Sequence, residues 1–497
     1  MNKSAKEAFV TGHTGSTVFE ILLVCISAPV GLFCYLEISH YLQEKKNVNS
    51  ISIAVALESL TILLPMAINQ TIYLHPVGIT VMIAMFTIAS ILCWRRRNRI
   101  EKYSELKFTE IVKETKNDLD FLTYYRSTVS YLTFVAILAV DFPIFPRSFA
   151  KTEVAGYGLM DIGAGSFALS GGFVSWYARR SMTKKEAERP KLQTEMKRFR
   201  KVIMRSIPLI IMGFLRLLTT KGLDYQEHVS EYGVHWNFFF TLTATGLLST
   251  FFRGILGFRS PAVWITLGIL YQTYLTFYGG QDYIENAPRY CENHNDSALA
   301  MKALIICNLF AANREGILGS IGYLIFHLIG EDIGHYCLWS CNGNVSQTSI
   351  SKSVQGRRLF SLTIFAWIVH YTLISTLDIY TSRRSTNSSF IAWTISHNLT
   401  ILSLTWLSFG LGTKKEKIKT DKNPPLFAAV NRHGLLVFIL ANLMTGAVNL
   451  TVDTINSSDS KSVFIIFCYL CAVGAVALFL DKVLDKKSTK GKPVKKE

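Results

Sequence analysis

The sequence predicts an all-α, polytopic transmembrane helical bundle of about 13 spans, and three observations predict it. Apolar runs return along nearly the whole chain, and many reach the ~20 residues that a helix needs to cross a bilayer. Hydrophobic residues make up 49% of the chain and charged residues only 18%. The Lys and Arg residues gather between the runs rather than within them. In lipid every backbone polar group must be satisfied within its own segment, so such runs form helices. An outer-membrane barrel needs short alternating strands, and these runs do not alternate.

The predicted spans are 18–38, 52–71, 76–94, 127–145, 156–178, 202–219, 236–252, 261–279, 316–339, 359–380, 389–411, 434–452 and 462–480. The stretch 299–312 is too short to cross and reads as a re-entrant or interfacial helix. Residues 1–17 are polar, and no cleavable signal peptide is expected before the first long run. The whole chain, 1–497, reads as one integral membrane domain.

Charge sets the orientation. The tail 481–497 carries Lys482, Lys486, Lys487, Lys490, Lys492, Lys495 and Lys496, which assigns it to the cytoplasm. An odd span count then makes the N-terminus luminal. The loops near 95–126, 179–201 and 412–433 become cytoplasmic, and they hold Arg95-Arg96-Arg97, Lys184-Lys185 and Lys414-Lys415. Loop 381–388, with Arg383 and Arg384, is the exception on the luminal side. The net charge of +17 therefore reports topology, and no basic stretch carries a nucleic-acid motif. Most of the nine cysteines lie in apolar runs and read as small hydrophobes. Cys337 and Cys341 lack a second pair to complete a zinc site.

Unusual polar residues collect on the predicted luminal face. The fourth span ends Asp141-Phe142-Pro143-Ile144-Phe145-Pro146-Arg147, and Lys151 follows. The prolines cannot continue the helix, so Asp141 sits at a rigid corner. Arg147 and Lys151 are close enough to fold back over it, as a site or as a structural ion pair. In the fifth span Asp161 precedes Gly163-Ala164-Gly165, a small-residue face that suits close helix packing or an acyl-chain groove. Arg205 or Arg216 is the expected partner of Asp161.

The loop 223–237 contains Asp224, Tyr225, Glu227, His228, Glu231, His235, Trp236 and Asn237. His228, Glu231 and His235 could share one helical face, although Gly233 weakens a continuous helix. The spacing is not a metal-protease signature, and no metal is expected. The loop suits a polar head group, and its aromatic residues also suit an interfacial belt. Asn313-Arg314-Glu315-Gly316 precedes the ninth span: Arg314 can grip a phosphate, and Glu315 can cap the span's N-terminus. Glu58 and Arg216 are intramembrane charges of the kind found in transporters.

At these residues the chain resembles the inositol acyltransferases of glycosylphosphatidylinositol-anchor biosynthesis, the PIG-W family. The matching strings are Ala136 to Pro146 with Phe149-Ala150-Lys151, Met160-Asp161 with Gly163, Tyr225-Gln226-Glu227-His228 with Glu231 to Phe239, Asn313 to Gly316, and Asn449 with Val452-Asp453-Thr454. The resemblance covers nearly the whole chain. Ser148 departs from a second Arg usual after Arg147, and Ser385-Thr386-Asn387 replaces the usual Ala-Asn-Leu after Arg384. The resemblance implies an endoplasmic reticulum enzyme that moves palmitoyl from acyl-CoA, a co-substrate rather than a cofactor, to the inositol 2-hydroxyl of glucosaminyl-phosphatidylinositol. It implies about 13 spans and a luminal-facing site. Asp141 is then the expected general base and Lys151 its electrostatic partner. His228 or His235 is the rival base. Arg147, Glu227 and Arg314 are expected to hold the phosphate and glucosamine. A lipid or solute transporter, or a scaffold for anchor synthesis, is the alternative.

Overall fold

The computed structural model describes residues 12–46, 50–72, 76–103, 119–179, 192–222, 229–291, 298–339, 352–412 and 424–490. Their regular elements are all helices, with no strand among the described residues, and one isolated bridge pairs Ser16 with Tyr157. In chain order the helices are α1 (Val18–Lys46), α2 (Ile51–Thr71, with a π turn at Ser59–Leu63), α3 (Pro76–Tyr103), α4 (Asp120–Ala139), α5 (Ile162–Phe173) and α6 (Trp176–Arg179). There follow α7 (Leu192–Gly222), α8 (Val229–Tyr232), α9 (Phe238–Thr250), α10 (Ala262–Phe277), α11 (Gly280–Asn286) and α12 (Ala298–Ala312). The last six are α13 (Arg314–Ile333), α14 (Lys352–Ser375), α15 (Ser388–Gly412), α16 (Pro425–Arg432), α17 (Gly434–Thr451) and α18 (Asp459–Lys490).

Eight of these segments are long and apolar enough to cross a membrane: Val18–Glu44, Ile51–Thr71, Gly78–Asn98, Phe238–Ile255, Arg314–Leu338, Ser353–Ser375, Gly434–Thr451 and Asp459–Leu484. Of the other five predicted spans, 202–219 and 389–411 fall on the long helices α7 and α15 and 261–279 on the 16-residue α10, whereas 127–145 runs past α4, which ends at Ala139, and 156–178 holds only the 12-residue α5 and the short α6. The predicted interfacial stretch is α12, a 15-residue helix. The chain forms two compact units, residues 1–16 with 151–398, and residues 17–150 with 399–497.

The first unit is built around α13, which packs against α5, α9 and α10. Small residues allow the closest of these approaches. A side chain on Gly330 would strike the Leu169 carbonyl and lie 3.2 Å from the Gly172 Cα. A Cβ on Gly165 would stand 2.9 Å from Thr394 and 3.0 Å from Phe326. Gly165 therefore serves close packing. At the end of α13 the buried Arg253 guanidinium bonds Glu331 at 3.2 Å and Asp332 at 2.8 Å. Glu331 also accepts the Ser249 hydroxyl at 2.8 Å, so this buried carboxylate is paired and hydrogen-bonded.

The second unit packs α1 on α3 and seats the short α16 against α4 and α18. The Phe427 ring of α16 stacks on Tyr124 at 4.6 Å and meets Tyr131 at 4.6 Å. Glu58 explains itself here. Its carboxylate accepts the backbone N–H groups of Leu426 and Phe427, both at 2.9 Å, and so caps the N-terminus of the buried helix α16. A charge that resembled a transporter's is thus a helix cap. Arg96 and Glu37 form a second buried pair at 2.7 Å between α3 and α1.

Candidate functional site

In the second unit, α4 stops at Ala139 and the chain turns through Asp141, Pro143 and Pro146. The last carbonyls of a helix lack intrahelical donors. Backbone N–H groups of Val140, Asp141 and Phe142 serve those of Ala136, Leu138 and Ala139, and Arg147 serves the corner beyond: Nη1 donates to the Val140 carbonyl at 2.9 Å, Nη2 to Phe142 at 2.9 Å and Nε to Phe145 at 3.0 Å. Arg147 does fold back, and its fork is committed to backbone. Burial pulls its pKa down to about 10, against the opposing pull of Asp141, so it stays protonated at neutral pH. Asp141 is half-buried at this corner, and its carboxylate accepts the Asn449 amide N–H at 2.6 Å. Two motifs 308 residues apart thus meet at one carboxylate.

The first unit holds a chain of alternating charges. Lys151 Nζ donates to Glu231 at 2.6 Å. Arg383 Nη1 lies 3.4 Å from the other Glu231 oxygen, and Arg383 Nε lies 2.7 Å from Asp161. Asp161 also accepts the Thr152 hydroxyl at 2.8 Å. The partner of Asp161 is therefore Arg383, not Arg205 or Arg216: a guanidinium on a distant loop reaches the N-terminal end of α5. Burial alone would raise the Glu231 pKa, but the charges of Lys151 and Arg383 outweigh it and hold the carboxyl at about 2. The same carboxylates drive the Arg383 pKa up despite its burial.

His235 does not share a helix with Glu231. Helix α8 ends at Tyr232, and Gly233 adopts φ +105°, a left-handed conformation that favours glycine. The chain then runs along the start of α13, where Asn313 Oδ1 accepts the backbone N–H groups of His235 at 2.7 Å and Trp236 at 2.9 Å. That orients the Asn313 amide so that Nδ2 faces His235 Nδ1 at 3.4 Å. A neutral His235 accepting there carries its proton on Nε2. Asn237 caps α9, accepting the Phe239 N–H at 3.1 Å, while Trp236 Nε1 donates to Thr241 at 2.9 Å.

The remaining members of the Asn313 motif are also placed. Arg314 is buried, and its guanidinium donates to the carbonyls of Ile284 and Pro288, each at 3.0 Å. Two of its three nitrogens, Nε and Nη1, are thus committed to backbone. The Glu315 side chain accepts Arg289 at 2.5 Å and Arg384 at 3.3 Å. Gly316 leaves room for the Trp236 ring. Asp224, Tyr225, Glu227 and His228 lie outside the described residues.

A sequence profile matches residues 2–480, nearly the whole chain, and its description is GWT1. The chain belongs to the GWT1 family. Its relatives include the GPI-anchored wall transfer protein 1 of Kluyveromyces lactis, 31% identical over 486 residues and covering 96% of each chain. That of Yarrowia lipolytica is 32% identical over 514 residues, covering 97% of this chain and 98% of the relative. The Candida albicans protein is 31% identical over 518 residues with the same coverage.

Three features of this GWT1 chain escaped sequence reasoning. Arg383 and Arg384 stood out only as a breach of the charge rule, yet that breach was the usable signal, because both are paired with carboxylates. Arg289 carried no signal at all. Cys291 and Cys307, for which the sequence suggested no pairing, form a disulfide across 16 residues. Asn308 accepts the Cys291 N–H at 2.6 Å and steadies the same turn.

Proposed function

We propose that this GWT1 protein is an O-acyltransferase of the endoplasmic reticulum membrane. It moves a palmitoyl group from palmitoyl-CoA to the inositol 2-hydroxyl of glucosaminyl-phosphatidylinositol. Full-length similarity to proteins named for transfer of GPI-anchored wall proteins supports a place in that chemistry. The observation that carries the assignment of roles is the Asp141–Asn449 bond, which joins at one carboxylate two of the motifs that carry the resemblance. Asp161 and Glu231 are held by cations, and Glu231 is a weak base at about 2. Asp141 sits at a rigid corner beside the Arg147 charge and accepts the Asn449 amide N–H at 2.6 Å.

Asp141 then removes the proton of the inositol hydroxyl as its oxygen attacks the thioester carbonyl. The carbonyl π electrons move onto oxygen, where a cation lowers the cost of the negative charge, the role given to Lys151. Collapse of the intermediate expels the CoA thiolate, which recovers the proton from the Asp141 carboxyl. His235, whose Nδ1 faces the Asn313 amide at 3.4 Å, is the rival candidate.

The full reading keeps about 13 spans, a luminal N-terminus and a cytoplasmic tail. The Cys291–Cys307 disulfide supports it, because disulfides persist in oxidising compartments and this segment is luminal in that topology. The test is transfer of labelled palmitoyl from its CoA ester to glucosaminyl-phosphatidylinositol by purified protein, with Asp141→Ala beside wild type. Loss in the variant alone supports the reading. Activity in both moves the base to a histidine. Activity in neither, with lipid binding intact, turns the assignment toward a transporter or scaffold.

A further inference from the structure

Lys151 ends in a long flexible stem, and 29% of its side chain is exposed. A lysine of that kind loses its rotamer freedom only if something holds it. Here the holder is Glu231, at 2.6 Å. Glu231 itself stands on α8, a four-residue helix ended by Gly233, and such a turn fixes nothing alone. Its second oxygen faces Arg383. Arg383 in turn is anchored by Asp161, which is 1% exposed and bound to the Thr152 hydroxyl beside Lys151. Arg383 presents two edges of one rigid plane to two carboxylates on different elements. A lysine ammonium has no such fork.

We propose that Arg383 is a positioning residue for the reaction: it fixes the Lys151 ammonium through Glu231, with Asp161 as its anchor. The proposal rests on the role given above to Lys151. It assigns a task to the one predicted luminal loop that broke the charge rule. Arg383 touches neither acyl-CoA nor acceptor lipid in this account, so its removal changes turnover rather than acyl-CoA binding.

The test uses full-length protein purified in detergent, with kcat and the KM for palmitoyl-CoA measured separately, and thermal melting as the folding control. Arg383→Gln alone strands the buried Asp161 charge and can fail to fold. The informative variants are Arg383→Lys and the double change Asp161→Asn with Arg383→Gln, which leaves no buried charge unpaired. Both are expected to melt as folded proteins and to lose about 10- to 100-fold in kcat, the scale of an ångström of misplacement, with KM within about twofold of wild type. Arg383→Lys is expected to retain more turnover than the double variant, since it keeps the charge. A folded double variant with wild-type kcat, beside an inactive Lys151→Ala, overturns the positioning role and leaves the proposed function standing. A Lys151→Ala protein with wild-type kcat overturns the role of Lys151 and this proposal with it.

Discussion

Replacing Glu231 by glutamine removes the negative charge that sits between Lys151 and Arg383 while keeping the shape of the side chain. The Glu231 carboxyl is held at about 2 against an ordinary 4.5, and its side chain is 14% exposed. At about 1.4 kcal/mol for each tenfold change in proton affinity, that difference corresponds to about 3 kcal/mol in favour of the ionised folded state. A depressed carboxyl stabilises above its ordinary value, and the stabilisation fades as pH falls from there to the folded value. Glu231→Gln should therefore lower stability by about 3 kcal/mol at pH 7. At roughly 2–4 °C per kcal/mol, the melting temperature should drop by about 6–12 °C. The assay is thermal melting in detergent at one fixed scan rate, wild type against variant, repeated stepwise toward acid. The gap should narrow below about pH 4.5 and close near pH 2, where wild type also carries a neutral side chain. Equal melting temperatures at pH 7, or a gap that survives unchanged at the acid end, would refute the charge-bridge account.

Three further outcomes follow from the geometry. Glu58→Ala leaves two buried N–H groups of α16 without an acceptor, and at about 1–3 kcal/mol each it should lower the melting temperature more than any exposed alanine substitution. Cys291→Ser opens a loop of 16 residues and should cost about 3 kcal/mol; reductant should shift wild-type melting by the same amount and leave the variant unmoved. Gly330→Ala drives a methyl group into the Leu169 carbonyl and should cost about 1–3 kcal/mol, read as a lower melting temperature with α5 and α13 forced apart.

Hydropathy and charge made the helical membrane architecture legible, because bilayer thickness dictates run length and charged groups are excluded from the runs. The corner at Asp141 was equally legible, since Pro143 and Pro146 have only one local consequence. Long-range pairing was not. Nothing within Met160-Asp161 points to a guanidinium 222 residues later, and sequence offers only the cations of the following predicted span, Arg205 and Arg216. Arg314 illustrates a different gap. Residue type reveals a fork of five donors, but not whether carbonyls or a phosphate will fill it. The structure commits Nε and Nη1 to the carbonyls of Ile284 and Pro288. The cysteines failed for a related reason: Cys307 lies within the apolar α12, and only the fold turns Cys291 toward it.

The cap on α16 also has a consequence in time. Glu58 emerges early from the ribosome, yet the N–H groups it serves are made 368 residues later. At about 5–20 residues per second, the carboxylate waits roughly 20–70 s for its partner. Throughout that interval the first helices of the second unit hold an acid that membrane lipid solvates poorly. A nascent chain interrupted anywhere before Pro425 can never satisfy it. Unfinished molecules are thereby chemically different from finished ones at an early position. A surveillance factor that senses polar groups within the bilayer would need no other mark to separate them.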